Sequence, residues 1–197
     1  MTSQITTLTE KIAELEAKLE AEFAKRHAEL RFGLEKGRVA FEEEVLRRHK
    51  ELRIGLGRYV LQARPLVVLT APVIYALIIP LVLLDLLVTI YQAVCFPIYG
   101  IAKVRRADHL IFDRHHLAYL NALERLNCAY CSYANGLISY VREIGGRTEQ
   151  YWCPIKHARH AIGAHANYVK FIDYGDAETY QKEREHLREQ LGNRKTP

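Results

Sequence analysis

The chain has 197 residues, of which 49% are hydrophobic and 26% are charged, and its formal net charge is +5. This length allows one ordinary domain with appendages. Because its basic residues do not alternate with aromatic ones and no nucleic-acid motif is present, no nucleic-acid partner is expected. The N-terminal part is polar and helical in pattern, so the sequence predicts no signal peptide there.

The N-terminal segment, residues 1–62, is predicted to form one long amphipathic helix. Its apolar residues recur every three or four positions, which is the spacing of a coiled-coil seam. The seam comprises Ile5, Leu8, Ile12, Leu15 and Leu19, slips at Phe23, and continues through Leu30, Leu34, Phe41, Val45, Leu52 and Leu56. A helix with so narrow an apolar stripe needs a partner. We expect a homo-oligomer formed through residues 5–56, or binding to a helix of another protein.

The next segment, residues 65–102, is apolar, and Asp85 is its only formally charged residue. As one helix, its 38 residues would measure about 57 Å, whereas the hydrocarbon core of a bilayer is about 30 Å thick. A membrane-embedded hairpin or re-entrant pair of helices, broken near Pro80, is therefore favoured over a single span. Basic residues flank both ends, which places both ends on the cytoplasmic side. They are Arg47, Arg48, Lys50, Arg53, Arg58 and Arg64 before the segment, and Lys103, Arg105 and Arg106 after it.

Asp85 has two interpretations. A carboxylate at membrane depth is costly and is therefore often functional, as a proton or ion relay or as a contact between subunits. In the hairpin, however, Asp85 falls close to the tip, where water reaches it.

The remaining sequence predicts two further parts. Residues 103–175 are expected to form a cytoplasmic helical domain, with one helix over 108–144 ended by Gly145 and Gly146 and a second over 153–172. Residues 176–197 are expected to form a charged helix and tail that begins at Asp176 as the helix cap. The predicted fold class is thus an all-α membrane protein.

Three cysteines and a histidine form the most informative pattern of this domain. Cys128 and Cys131 are three residues apart, and Cys153 and His157 are four apart, so each pair shares one face of a predicted helix. If the helices fold back at Gly145, the four residues form a Cys3His site suited to tetrahedral zinc. Iron or an iron–sulfur centre is the alternative. His160 is an alternate ligand, as are His115, His116 and His165.

Other interpretations of these cysteines remain open. They form a redox dithiol, or they are buried thiols that pack as small hydrophobic groups. Covalent c-type haem is excluded, because Ser132 stands where that motif needs a histidine.

The segments around the cysteines resemble an uncharacterised family of bacterial membrane proteins. The resemblance is carried by F-D-R-H-H-L-A-Y-L-N at 112–121, L-N-C-A-Y-C-S-Y-A-N-G-L at 126–137 and Y-W-C-P-I-K-H-A at 151–158. It covers roughly residues 80–175 and implies a bacterial origin and a membrane location, but no activity. The expected location is the bacterial inner membrane.

These observations together predict a membrane-anchored structural, scaffold or assembly protein with a zinc-stabilised helical domain, and they lean against an enzyme. A membrane redox protein with an iron centre and a transporter or channel subunit that uses Asp85 are the alternatives.

Overall fold

The computed structural model describes residues 2–29, 32–35, 38–41, 43–159 and 161–192. The chain is mainly helical, as predicted from the sequence. It divides into two compact units: residues 1–61 with 113–125, and residues 62–112 with 126–197.

The first unit contains helices and one hairpin. Helix α1 spans Thr2–Glu29, strands β1 (Phe32–Glu35) and β2 (Arg38–Phe41) pair antiparallel, and helices α2 (Glu43–Glu51) and α3 (Leu56–Gln62) follow. The prediction of one continuous helix over 1–62 is therefore wrong, and Leu34 and Phe41 belong to strands rather than to a seam. Gly33 in β1 and Gly55 between α2 and α3 stand where the helix is interrupted, as their low helix propensity allows.

The apolar segment forms one helix rather than the predicted hairpin. Helices α4 (Pro65–Ala76) and α5 (Ile78–Tyr99) meet at Leu77, whose backbone stays right-handed (φ −64°, ψ −13°), so the chain does not reverse at Pro80. Pro80 lacks the N–H that would bond to the carbonyl of Ala76, which accounts for the interruption. Gly100 ends α5 in the left-handed conformation (φ 68°) that glycine adopts without strain.

After α5 the chain runs without long helices as far as Asn121. We call residues 101–112 the return segment, which holds one short 3-10 turn at Arg106–Asp108. A second turn at Arg114–His116 follows it. The predicted helix over 108–144 is thus wrong at its start.

Helix α6 spans Ala122–Trp152 and begins at a capping box that was not predicted from the sequence. The Asn121 side-chain oxygen accepts hydrogen bonds from the N–H groups of Leu123 and Glu124 (both 3.0 Å), and the Glu124 carboxylate accepts one from the Asn121 N–H (2.8 Å). Two N–H groups of the first turn are thereby satisfied, which fixes the helix start.

Gly145 and Gly146 do not end α6, contrary to the prediction. A Cβ atom on Gly146 would lie 2.6 Å from the imidazole of His165, so this glycine admits a ring that packs against the helix. Tertiary packing here outweighs the helix-weakening effect of glycine, which is about 1 kcal/mol per residue.

The predicted helix over 153–172 is also wrong. Ile155 and Ile172 form an isolated parallel bridge, in which the Lys156 N–H donates to the Ile172 carbonyl (2.7 Å). Within the described residues of this stretch, the helical part is a 3-10 turn at Ala166–Lys170.

Helix α7, Ala177–Gly192, confirms the predicted C-terminal helix. Asp176 caps it as predicted, because its carboxylate accepts the Thr179 N–H at 3.0 Å. The helix is docked rather than free: Leu187 and Leu191 are buried, and the Leu191 carbonyl accepts the Ala102 N–H at 3.0 Å.

The second unit has one hydrophobic core, which joins the apolar helix to the C-terminal part of the chain. Its buried members are Phe96, Ile101, Val104, Leu137, Tyr140, Ile144 and Leu191. The core therefore contains residues of both the predicted membrane segment, 65–102, and the predicted cytoplasmic domain, 103–175. These two parts do not form separate layers.

Candidate functional site: an apolar helix with a polar contact stripe

The apolar helix α4–α5 touches the rest of its unit along one narrow line. Partly or fully buried residues recur along it at steps of mostly three or four, which is one face of an α-helix. This contact stripe consists of Ala71, Tyr75, Ile78, Leu81, Asp85, Val88, Tyr91, Gln92, Cys95, Phe96 and Tyr99. The hydrogen-bonding side chains of Tyr75, Asp85, Tyr91 and Gln92 therefore all face the protein.

Helix α6 supplies the opposing polar groups and runs parallel to α4–α5. Tyr75 near the start donates to the side chain of Asn127, and the hydroxyls of Tyr91 and Thr148 lie 3.0 Å apart. Toward the end of both helices the rings of Tyr99 and Tyr151 stack with centroids 5.1 Å apart. Polar and aromatic contacts thus accompany the apolar helix along most of its length.

Gln92 is the centre of a buried polar contact. Its amide oxygen accepts the Val104 N–H (2.6 Å), and its amide nitrogen donates to the Tyr140 hydroxyl (2.8 Å). These hydrogen bonds connect α5, the return segment and α6 at one point. Because unpaired buried polar groups are costly, this arrangement specifies the register of the three elements.

Asp85 forms an ion pair in the middle of the contact stripe. Arg106 of the return segment donates to both of its oxygens, through Nη1 to Oδ1 and through Nη2 to Oδ2 (2.7 Å), and the Tyr133 hydroxyl donates to Oδ2 (2.9 Å). Partial burial raises the pKa of the Tyr133 phenol, and the bond to the Asp85 carboxylate raises it further, so Tyr133 remains a neutral donor. Asp85 lies neither at a hairpin tip nor alone in an apolar environment.

The other faces of α4–α5 are apolar and exposed. Ile79 and Ile98 are 71% and 74% exposed, and large aliphatic side chains on these faces extend from Leu66 to Ile98. Among the described residues, this is the one helix long and apolar enough to cross a membrane. A contiguous apolar surface of this length marks an interaction site for lipid or protein.

The predicted Cys3His site is not assembled within the chain. Cys128 and Cys131 lie in α6, whereas Cys153 and His157 follow its end, because the helix continues through Gly145. The 22 positions from Cys131 to Cys153 place the two residues about 33 Å apart along the helix. In the described part of the chain, no group of three or more potential metal ligands comes together. These residues therefore do not fit one tetrahedral ion.

The alternate histidine ligands do not restore such a site. His160 lies outside the described residues. His165 Nε2 lies 2.9 Å from a Glu149 carboxylate oxygen, and the rings of His115 and His116 lie beside each other with centroids 3.9 Å apart.

No family model, no curated protein and no solved structure matches the chain. The resemblance to bacterial membrane proteins therefore stays a prediction.

Sequence reasoning missed Gln92, Tyr133 and Tyr140 as members of the polar contacts. One signal for Gln92 was available. Asp85, Gln92 and Tyr99 recur at intervals of seven in an otherwise apolar run, which predicts one polar line along the helix.

Proposed function

We propose that the chain is a membrane-anchored structural, scaffold or assembly protein of the bacterial inner membrane, with both termini cytoplasmic. The observation that carries this proposal is the exposed apolar surface of α4–α5. Leaving so many aliphatic side chains in water is unfavourable by about 25 cal/mol per Å² of apolar area, and lipid removes that cost.

The polar residues of this helix support a structural role rather than a chemical one. Asp85 is bound by Arg106 and Tyr133, and Gln92 is bound by Val104 and Tyr140. Each polar group thus has a partner that fixes the fold. The separation of the cysteines counts against an iron centre, and the ion pair of Asp85 counts against a proton relay.

A matched pair of variants tests the membrane anchor. Leu83→Glu with Leu87→Glu places two carboxylates on the exposed face of α5, each costing about 2.5 kcal/mol at membrane depth. We expect the wild type to stay with the membrane fraction after an alkaline wash and the double variant to be released. The control, Ile162→Glu with Val169→Glu, changes two residues that are 95% and 77% exposed outside the helix, and it should stay membrane-bound.

Two outcomes would contradict the proposal. One is wild-type protein that is fully soluble and monomeric without detergent. The other is equal release of both double variants while circular dichroism shows both to be folded.

A further inference from the structure

The length of the apolar helix does not suit a crossing of the bilayer. The 35 residues from Pro65 to Tyr99 measure about 52 Å along a helix, against a hydrocarbon core of about 30 Å. A straight crossing would need a tilt of about 55°, and tilts of crossing helices extend only to about 40°.

Charged groups beside the middle of the helix exclude a crossing more strongly. Asp85 lies near the midpoint of α4–α5, and its partner Arg106 keeps 45% of its side chain exposed. Arg105 and Asp108, paired to each other at 3.8 Å, are exposed beside Arg106. In a crossing helix these charges would stand at the centre of the bilayer without a protein cover, which is the most costly position for them.

A basic residue lies at each end of the helix. Arg64 before α4 and Lys103 after α5 are both exposed. A helix that lies parallel to the membrane surface puts both residues at the same depth, within reach of one layer of anionic head groups.

We infer that α4–α5 lies in the plane of a single leaflet, with its apolar faces in the acyl chains and its contact stripe, return segment and α6 on the water side. This inference depends on the proposed membrane function and specifies how the anchor is held. Lipid rather than a second copy is the occupant, because aliphatic residues surround the helix outside the stripe and one partner helix would cover only one side of it. Helix α4–α5 is then a monotopic anchor that does not reach the opposite leaflet.

Tryptophan scanning measures the depth of the helix directly. The single tryptophan, Trp152, is first changed to Phe, which keeps an aromatic ring beside Tyr99. A tryptophan is then placed at one of four exposed positions that face away from the contact stripe: Leu69, Leu83, Leu87 or Ile98. Each variant is reconstituted into phosphatidylcholine vesicles with about one third phosphatidylglycerol, a fraction chosen to supply the anionic surface. The phosphatidylcholine is brominated near the top or near the end of its acyl chains.

The in-plane helix predicts the same ratio of shallow to deep quenching at all four positions. Val169→Trp, on an exposed site outside the helix, serves as the control and should not be quenched. If Leu83→Trp and Leu87→Trp are quenched from the bilayer centre while Leu69→Trp and Ile98→Trp are quenched near the surface, the helix crosses the membrane. That result overturns the in-plane inference and leaves the membrane anchor intact. If no position is quenched and the protein elutes with the soluble fraction, the anchor itself is overturned.

Discussion

Asp85 and Arg106 form a two-point ion pair between the apolar helix α5 and the return segment, with Nη2 of Arg106 2.7 Å from Oδ2 of Asp85. The carboxylate side chain is only 13% exposed, and Arg106 is the cation that faces it. The pair therefore fixes the return segment against the helix at the point where the sequence is otherwise most apolar.

Removing either partner should destabilise the second unit. Asp85→Ala and Arg106→Ala each leave a hydrogen-bonding partner without its match, at a cost of about 1–3 kcal/mol. The double variant should lose less than the sum of the two by at least about 0.5 kcal/mol, because the residues contact each other. Denaturant titration in mild detergent measures these free energies of unfolding.

Arg105→Ala is the matched control for this cycle. Arg105 is 58% exposed and lies 3.8 Å from Asp108, so its loss should change the free energy of unfolding by no more than about 0.5 kcal/mol. Full additivity of Asp85→Ala and Arg106→Ala would contradict the pairing.

Replacing two glycines of α6 by alanine should have opposite effects on the stability of the protein. A Cβ on Gly136 would lie 2.7 Å from the backbone oxygen of His109, whereas a Cβ on Gly145 meets nothing within 4 Å. Gly136→Ala should therefore destabilise the protein by about 1–3 kcal/mol. Gly145→Ala should stabilise it by up to about 1 kcal/mol through helix propensity. Thermal unfolding of the two variants side by side tests the close approach of the return segment to α6, and equal effects would refute it.

The sequence predicted the parts of this fold that depend on local composition. The apolar run, the Asp176 cap and helix α7 follow from hydropathy and capping residues near each other in the chain. The path of residues 101–121 could not be predicted, because it depends on long-range bonds such as Gln92 to Val104. The residues of the predicted Cys3His site are separated within the chain for the same reason. Gly145 and Gly146 look like a helix stop locally, and only the packing of His165 against Gly146 shows why the helix continues.

The cap of α7 should give this helix a specific pH dependence. A hydrogen bond from the Thr179 backbone lowers the pKa of the Asp176 carboxyl below its ordinary value of 3.8. A lowered pKa means that the cap stabilises the folded state fully above about pH 3.8 and that this contribution is lost as the pH falls through the lowered value. The protection factors of the first amides of α7, which correct exchange rates for their intrinsic pH dependence, should therefore fall in this acidic range.

Asp176→Asn separates this titration from that of the other carboxylates. Asparagine caps helices about as well as aspartate but does not ionise. The variant should keep α7. Protection of the amides in its first turn should no longer change as the pH falls through this acidic range. An unchanged pH profile would show that Asp176 does not control it.

The cysteines should not bind zinc within one chain. Cys131 and Cys153 are both free and exposed, and about 33 Å of helix separates them. We expect elemental analysis of detergent-purified, reduced protein to find far less than one equivalent of zinc or iron per chain. Cys131→Ser and Cys153→Ser should leave the melting temperature unchanged. One equivalent of metal that is lost in both variants would show a site formed between chains.

Helix α1 offers a second apolar face, on which self-association is expected to depend. Within α1, the seam residues whose side chains the structure describes, Ile12, Leu15, Leu19 and Phe23, are 54–64% exposed. This is a spacing of three and four residues that a second copy of the helix fits. Because α1 ends at Glu29, the seam is shorter than residues 5–56, and the loss of any one contact should weaken self-association.

Leu15→Glu with Leu19→Glu should convert an oligomer into a monomer, as measured by light scattering with correction for bound detergent. Ala17→Glu changes an exposed residue off the seam and should leave the mass unchanged. If the wild type is already a monomer at micromolar concentration, α1 binds a different protein or none.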